Sequence, residues 1–366
     1  MQVLTQTLTI STIFDATSPT RKHSRSPLSP IAPPNRFAPH KKSIRQVALE
    51  NKQRLANTGG NNIVIGDLTL RRRGVKLWGH RMEEPPSPRN DKPVRGFSWI
   101  RGQPIGRGAH GRVYLGLNAT TGEMIAVKQI DISRRGGAAK AGVDSHSLRC
   151  LERDMESMKA VRHSNLIEYF GLEEGIDGIV SIFMEYEPGT SIRALVLKHG
   201  KFDADTVKSF TSQVLDGLAY LHSGGLLHGG LKSTNILVGV SGVCKIEGLG
   251  CPEGCSPCNL WTAPEIIKTK YKAYDAKVDI WSTGCVVLEM WDGRRPWFGL
   301  EAVAVMYKLH CETLRPPVSA DLGLTSVAED FMEKCLAINP ADRMRATELR
   351  RHPYLDLSPD WVFQGF

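Results

Sequence analysis

The sequence holds no run of 18 apolar residues, so no membrane span is expected. Its opening stretch, Met1 to Ile13, has no basic flank before a mild apolar run and does not read as a secretory signal. Cysteine is sparse and irregular, eight residues in 366. Without an export signal, that pattern argues against a disulfide framework and implies reduced thiols in a cytoplasmic setting. Acidic residues are scarce at one end: residues 1–96 hold 6 Asp+Glu against 17 Lys+Arg, a net of +11. The other 30 basic and 32 acidic residues nearly cancel, at −2. A nucleic-acid-binding fold carries its own basic face, so nucleic acid is not an expected partner.

The hydrophobic content of 41% suffices for a sizeable core, and 366 residues allow one large domain or two ordinary ones. The texture changes near residue 97. Residues 1–97 read as a disordered, basic, Ser/Pro-rich tail, with phrases such as Ser26-Pro-Leu-Ser29-Pro30 and short periodic stretches only. Ser-Pro pairs begin at Ser18, Ser26, Ser29 and Ser87 and are candidate acceptors for proline-directed kinases. Arg71-Arg72-Arg73 is read as a solvated charge run rather than a nuclear signal, and Asn61 to Ile65 as a short apolar run without assigned role. A domain over 98–354 follows, then a short C-terminal tail over 355–366.

From Phe97, apolar and polar residues alternate through Ile105, then over Arg112 to Leu117 and Met124 to Ile130, which predicts antiparallel strands. Ser147 to Val161 has helical spacing. Beyond Glu185-Tyr-Glu-Pro-Gly189 the pattern is mostly helical, over Ala204 to His222, Val278 to Trp291, Ala302 to His310 and Val327 to Leu336. The fold class is therefore α+β, a small strand-rich part ahead of a larger helical one.

Gly106-Arg-Gly108-Ala-His-Gly111-Arg-Val113 lies between two predicted strands, where glycines allow close backbone approach to phosphate and present N–H donors. The strand after the glycines argues against a dinucleotide fold, which needs a helix there. Ala126-Val127-Lys128 ends an apolar strand, and a Lys facing inward is costly unless an anion meets it. Next come His228-Gly-Gly-Leu-Lys232-Ser-Thr-Asn235, Ile246-Glu-Gly248-Leu-Gly250, Ala263-Pro-Glu265, Asp279-Ile-Trp-Ser-Thr-Gly284 and Arg343. In this order and spacing the chain resembles a protein kinase across about residues 98–354. Phrases such as Leu117 to Lys128, Ser209 to His222 and His352-Pro-Tyr-Leu are similar to the catalytic domain of fungal MAP kinase kinase kinases, of the cell-wall-integrity type.

That resemblance implies a bilobal fold and an ATP pocket. Ile105, Gly106, Gly108, Gly111 and Lys128 join the cofactor-binding set, Val113 and Ala126 would roof an adenine, and Leu237 would floor it. Met184 would stand behind the base, and the backbone at Glu185 and Glu187 would pair with its edge. Against this stand four departures. His228, Gly229 and Gly230 occupy the positions of the His-Arg-Asp motif, so the catalytic base is absent. Gly248, Leu249 and Gly250 occupy those of Asp-Phe-Gly, so the main Mg²⁺ ligand is absent. Asn235 alone remains as a weak Mg²⁺ candidate. Asp154, one methylene short, falls where relatives carry the Glu that pairs with Lys128. Twelve residues separate Gly250 from Ala263, which leaves Ser256 and Thr262 as the hydroxyl residues of a shortened activation segment.

The framework is kept. His228, Leu249 and Met158 suit the stack linking the lobes, Asp279 would anchor the catalytic-loop backbone, and Glu265 would pair with Arg343. Cys251, Cys255 and Cys258 supply three zinc ligands at most, with Cys244 or a His as a fourth; thiols without metal are the simpler reading. The leading function is a pseudokinase of a MAP kinase cascade, partnered by protein kinases, with ATP as a possible ligand and Mg²⁺ weak or absent. One alternative is an active serine/threonine kinase using Lys232, Asn235 and a carboxylate such as Glu247 to phosphorylate a MAP kinase kinase. Another is a partner- or metal-binding module with an empty pocket.

Overall fold

The computed structural model describes residues 72–77, 98–108, 111–119, 121–131, 145–175, 178–248, 260–268 and 275–366. Six strands form one antiparallel sheet: β1 (Arg72–Leu77), β2 (Trp99–Gly108), β3 (Gly111–Asn118), β4 (Met124–Asp131), β5 (Tyr169–Gly175) and β6 (Ile179–Glu185). Their order is β1-β5-β6-β4-β3-β2. Helix α1 (Ser145–Met158) lies between β4 and β5 in sequence.

The sheet is two-faced because β4 alternates. Ile125 and Val127 are buried in a small cluster with Trp99, Phe170 and Phe183, and Trp99 donates to Glu173 at 3.2 Å. Ala126 and Ile130, on the other face, join the main core with Met155 and Met158 of α1. Lys128 shares that inner face and sits opposite Val113 of β3 and Ile182 of β6.

The second part contains β7 (Gly189–Ser191), α2 (Ile192–His199), α3 (Ala204–Ser223), β8 (Ile236–Gly239) and β9 (Cys244–Ile246), then α4 (Pro264–Lys268), α5 (Lys277–Asp292), α6 (Ala302–Tyr307), α7 (Ser326–Cys335) and α8 (Ala346–Leu349). Asp203 caps α3 by accepting from the Thr206 N–H at 2.9 Å. Every residue of α5 from Val278 to Trp291 is buried, so this helix is the post around which α3 and α7 pack. The three-stranded sheet β7-β8-β9 lies on this side.

The predicted strands and long helices are present within two or three residues. Helix α6 ends at Tyr307, and a π turn covers Lys308–Glu312 where the spacing predicts continued α-helix. Strand β1 is a correction to the tail: Arg72–Leu77, which includes part of the run read as solvated charge, pairs with β5. The other tail features, Asn61 to Ile65 and the four Ser-Pro pairs among them, lie outside the described residues. At the other end, Phe363 and Phe366 of the segment read as a short tail pack on Phe210, with ring centroids at 5.6 and 6.2 Å. No helix among the described residues is long and apolar enough to cross a membrane.

Candidate functional site

The glycine-bearing turn joins β2 to β3, pairing Gly106 with Val113 and Gly108 with Gly111. Gly111 has a packing reason of its own: a Cβ there would collide with the Gln129 carbonyl oxygen of β4. Behind the turn, Ala126 and Met184 are buried register partners across β4 and β6. Val113 and Leu237 are half-buried against the main core, and Ile105 is exposed at the loop's entry. Of the predicted lining, Val113, Ala126 and Met184 thus lie on neighbouring strands of the six-stranded sheet, and Leu237 lies on β8 of the other sheet.

The connection after β6 is braced by charge. Glu185 pairs with Lys245 at 2.9 Å and its N–H donates to the Glu168 carbonyl at 2.8 Å. Glu187 lies back on β8, where a Cβ at Gly239 would come within 2.5 Å of its carboxylate. Burial raises the Glu187 carboxyl above the ordinary carboxylate value, and Lys245 opposes that.

The carboxylate on Lys128 is Glu247, with Nζ to Oε1 at 3.2 Å and each side chain 20% exposed. Sequence reasoning offered Asp154 for this pairing and named Glu247 only as a stray carboxylate. The overlooked signal is a charged residue directly after a buried strand and directly before Gly248.

The loop after α3 is held from below. Asp279 accepts from the N–H groups of His228 and Gly229, both at 2.9 Å, and from His222 at 2.9 Å. Its carboxyl is lowered from the usual value: burial opposes ionisation, but the hydrogen bond from His222 and the neighbouring imidazoles outweigh it. His228 is fully buried. Its Nδ1 accepts from the Gly230 N–H at 3.2 Å and its Nε2 faces the Glu247 carbonyl at 3.2 Å. This network assigns the neutral imidazole with its proton on Nε2. Burial lowers its pKa in agreement, although Asp279 pulls the other way. A Cβ on Gly229 or Gly230 would meet no atom within 4 Å. The loop carries no side chain where its base would stand, and its backbone is held by Asp279 and His228.

Gly248 adopts φ +86, and its N–H donates to the Tyr169 hydroxyl at 2.9 Å, a tie that the sequence did not disclose. A Cβ at Gly248 would lie 3.3 Å from Asn235 Nδ2. An acidic side chain there would therefore start beside Asn235. With glycine in its place, the family's metal-ligand positions among the described residues keep only the Asn235 amide, whose nitrogen donates to the Gly230 carbonyl at 3.3 Å. One neutral amide is a poor set for a hard dication, so these positions among the described residues do not fit a tightly held Mg²⁺. Lys232 is half-buried and makes no ion pair among the described residues.

Leu249, Ser256 and Cys251, Cys255 and Cys258 lie outside the described residues. Thr262 is 5% exposed, which removes it as an open phospho-acceptor. Cys244 is buried and its thiol is raised well above the usual value by burial, which disfavours the thiolate that zinc requires. Among the described residues no group of three His, Cys, Asp or Glu is placed to hold a metal. Arg343 meets Glu265 in a two-pronged pair at 2.6 and 2.9 Å, as the sequence suggested.

A strand-rich part bearing a glycine turn and an inward lysine, set against a helical part with its catalytic-loop frame, defines a bilobal α+β phosphotransferase fold. The chain belongs to the protein kinase family: the family model described as "Protein kinase domain" matches residues 99–355. It is 37% identical over 346 residues to the serine/threonine-protein kinase BCK1/SLK1/SSP31 of Saccharomyces cerevisiae, covering 88% of this chain and 22% of that one. It is 41% identical over 300 residues to the mitogen-activated protein kinase kinase kinase mkh1 of Cytospora mali, covering 78% of this chain and 16% of that one. The MAP kinase kinase kinase mkh1 of Schizosaccharomyces pombe is 35% identical over 350 residues, covering 89% and 31%. The resemblance to fungal MAP kinase kinase kinases is thereby established. The chain spans a sixth to a third of the length of these relatives.

Proposed function

We propose that this chain is a catalytically impaired MAP kinase kinase kinase-like protein, a pseudokinase that keeps a nucleotide pocket and acts by holding protein kinases of a MAP kinase cascade in the cytoplasm. The observation that carries this reading is the pairing of an intact frame with missing chemistry. Asp279, His228 and Tyr169 hold the backbone at Gly230 and Gly248 in place, yet neither residue has a side chain. Loss of a general base costs about 10²–10⁴-fold in rate. Loss of the ligand that places a charge-neutralising cation adds several kcal/mol to the barrier. The lining from Val113 to Leu237 supports a pocket for a flat base, and the relatives' names support a MAP kinase cascade as the setting.

A second reading is a slow active serine/threonine kinase. Lys128, Lys232 and Asn235 are retained, and Glu247 brings a carboxylate to the phosphate side of the pocket. Phosphoryl transfer to a kinase-dead MAP kinase kinase decides between them. The pseudokinase reading expects no phosphate above a Lys128→Met control; transfer that depends on Lys128 supports the second.

A further inference from the structure

Phe363 and Phe366 form a pair three residues apart, with ring centroids 5.5 Å from each other. Phe363 stands over Gly242 in the β8–β9 turn and meets Phe210 of α3 at 5.6 Å. Phe366 meets Phe202 at 4.7 Å and His199, the last residue of α2, at 5.1 Å. Phe202 and Phe210 are buried in the main core, so the two rings rest in a groove with an aromatic floor. Side chains alone hold the segment: among the described residues no backbone hydrogen bond joins residues 362–366 to the rest of the chain.

The apolar surface is wider than its occupant. Leu197, two residues before His199, is 70% exposed, and Val240, two residues before Gly242, is 88% exposed. Val243, Val362 and Phe366 itself are exposed as well. Single exposed apolar residues are ordinary, but five about one groove mark a contact surface. Charge gives the sign of what fits. Lys198 and Lys201, beside His199 and Phe202 in the chain, are exposed and make no ion pair among the described residues. The seated segment, 356–366, carries Asp356 and Asp360 and no Lys or Arg.

We propose that this groove is a docking site for an acidic, aromatic segment of a partner protein. Such a segment presents two aromatic side chains three residues apart beside carboxylates, and it displaces the chain's own 356–366. A tethered occupant has the advantage of high local concentration. The partner offsets this by covering Leu197 and Val240, which the tethered segment leaves in water. This role is separate from the nucleotide pocket and does not depend on it.

The test is fluorescence polarisation with two labelled peptides and the full chain. The first peptide is residues 356–366. The second keeps only the chemistry: carboxylates, two Phe three residues apart, and a Leu beyond each end of that pair. The native chain is expected to bind the second about tenfold more tightly than the first, and to lose that margin in Leu197→Ser with Val240→Ser. Phe363→Ala with Phe366→Ala empties the groove and is expected to tighten the first peptide at least about tenfold. Phe366→Ala alone removes a half-exposed ring, is expected to move the same way by less, and serves if the double variant fails to fold. Either peptide with both Phe replaced by Ala is expected not to bind. Binding of the first peptide to the emptied groove, with none of the second to any variant, overturns the proposal and leaves the segment as packing. So does a folded, emptied variant that binds neither. Sedimentation equilibrium of the native chain is expected to give a monomer; a dimer lost in Phe363→Ala with Phe366→Ala overturns the proposal in favour of a second copy as the occupant.

Discussion

The hydroxyl of Tyr169 sits 2.9 Å from the backbone nitrogen of Gly248. It thereby fixes, from β5, the position at which the family's metal-binding carboxylate would stand. Gly248 holds φ +86 there, so the tie and the turn stand without any side chain at this position. The same holds on the catalytic loop, where Asp279 and His228 fix Gly229 and Gly230.

If the frame is intact, returning the side chains should return some chemistry. Gly230→Asp enters open space, and Gly248→Asp begins 3.3 Å from Asn235 Nδ2. The second carries about 1–2 kcal/mol of backbone strain, because Asp tolerates a positive φ less well than Gly. The double variant is expected to turn over ATP at saturating Mn²⁺ at least about 10²-fold above the native chain, with smaller gains in each single variant. A phosphate-release assay measures this.

The Glu265–Arg343 pair should dominate stability in the helical part. The Arg343 side chain is fully buried and Glu265 is 14% exposed, and Arg343 also donates to the carbonyls of Ala337, Lys277 and Ile338. Glu265→Ala leaves that guanidinium uncompensated and is expected to cost about 3–5 kcal/mol. Urea denaturation followed by circular dichroism should show the midpoint shift, whereas a solvated pair would lose under about 1 kcal/mol.

Stability should fall with acid in a defined window. His228 is buried and neutral among Asp279, the Glu247 carbonyl and Lys232, and its folded pKa lies below 6.5. The unfolded chain therefore binds the extra proton first as pH drops through that value. Its contribution is fully present above 6.5 and is lost going down toward the folded pKa, at up to about 1.4 kcal/mol per pH unit. Asp279 acts in the same direction but only below the usual carboxylate range. Melting temperatures between pH 7.5 and 5.5 should decline, and His228→Gln, less stable at pH 7.5, should show a flatter profile.

The C-terminal aromatics should matter more than a loose end would. Phe363 contacts Phe210 and stands over Gly242, where a Cβ would lie 2.6 Å from its ring. Phe363→Ala is expected to cost about 3 kcal/mol or somewhat less, as it is only partly buried, and Gly242→Ala is expected to destabilise as well. Thermal melts of both variants check this.

Much of this was legible in the chain. The amphipathic helix α3 and the largely apolar helix α5 announce themselves by length and period. Motif spacing anticipated the hold of Asp279 on the loop backbone and the Glu265–Arg343 pair. Strands β5 and β6 escaped individual assignment because runs such as Phe170 to Leu172 and Val180 to Met184 are buried on both faces and show no alternation. Strand β1 escaped because its surroundings have a tail's composition, and only a distant edge, β5, makes it a strand. The Tyr169–Gly248 and Lys128–Glu247 contacts join positions 79 and 119 residues apart, which no local pattern encodes.

One measurement tests the central claim most directly. The native chain and Lys128→Met are incubated with Mg-ATP or Mn-ATP and a kinase-dead MAP kinase kinase, and phosphorylated sites are counted by mass spectrometry. The account predicts equal counts, at the level of substrate alone, for both proteins. Sites that appear with the native chain and vanish with Lys128→Met would contradict it and require a base other than the missing one at Gly230.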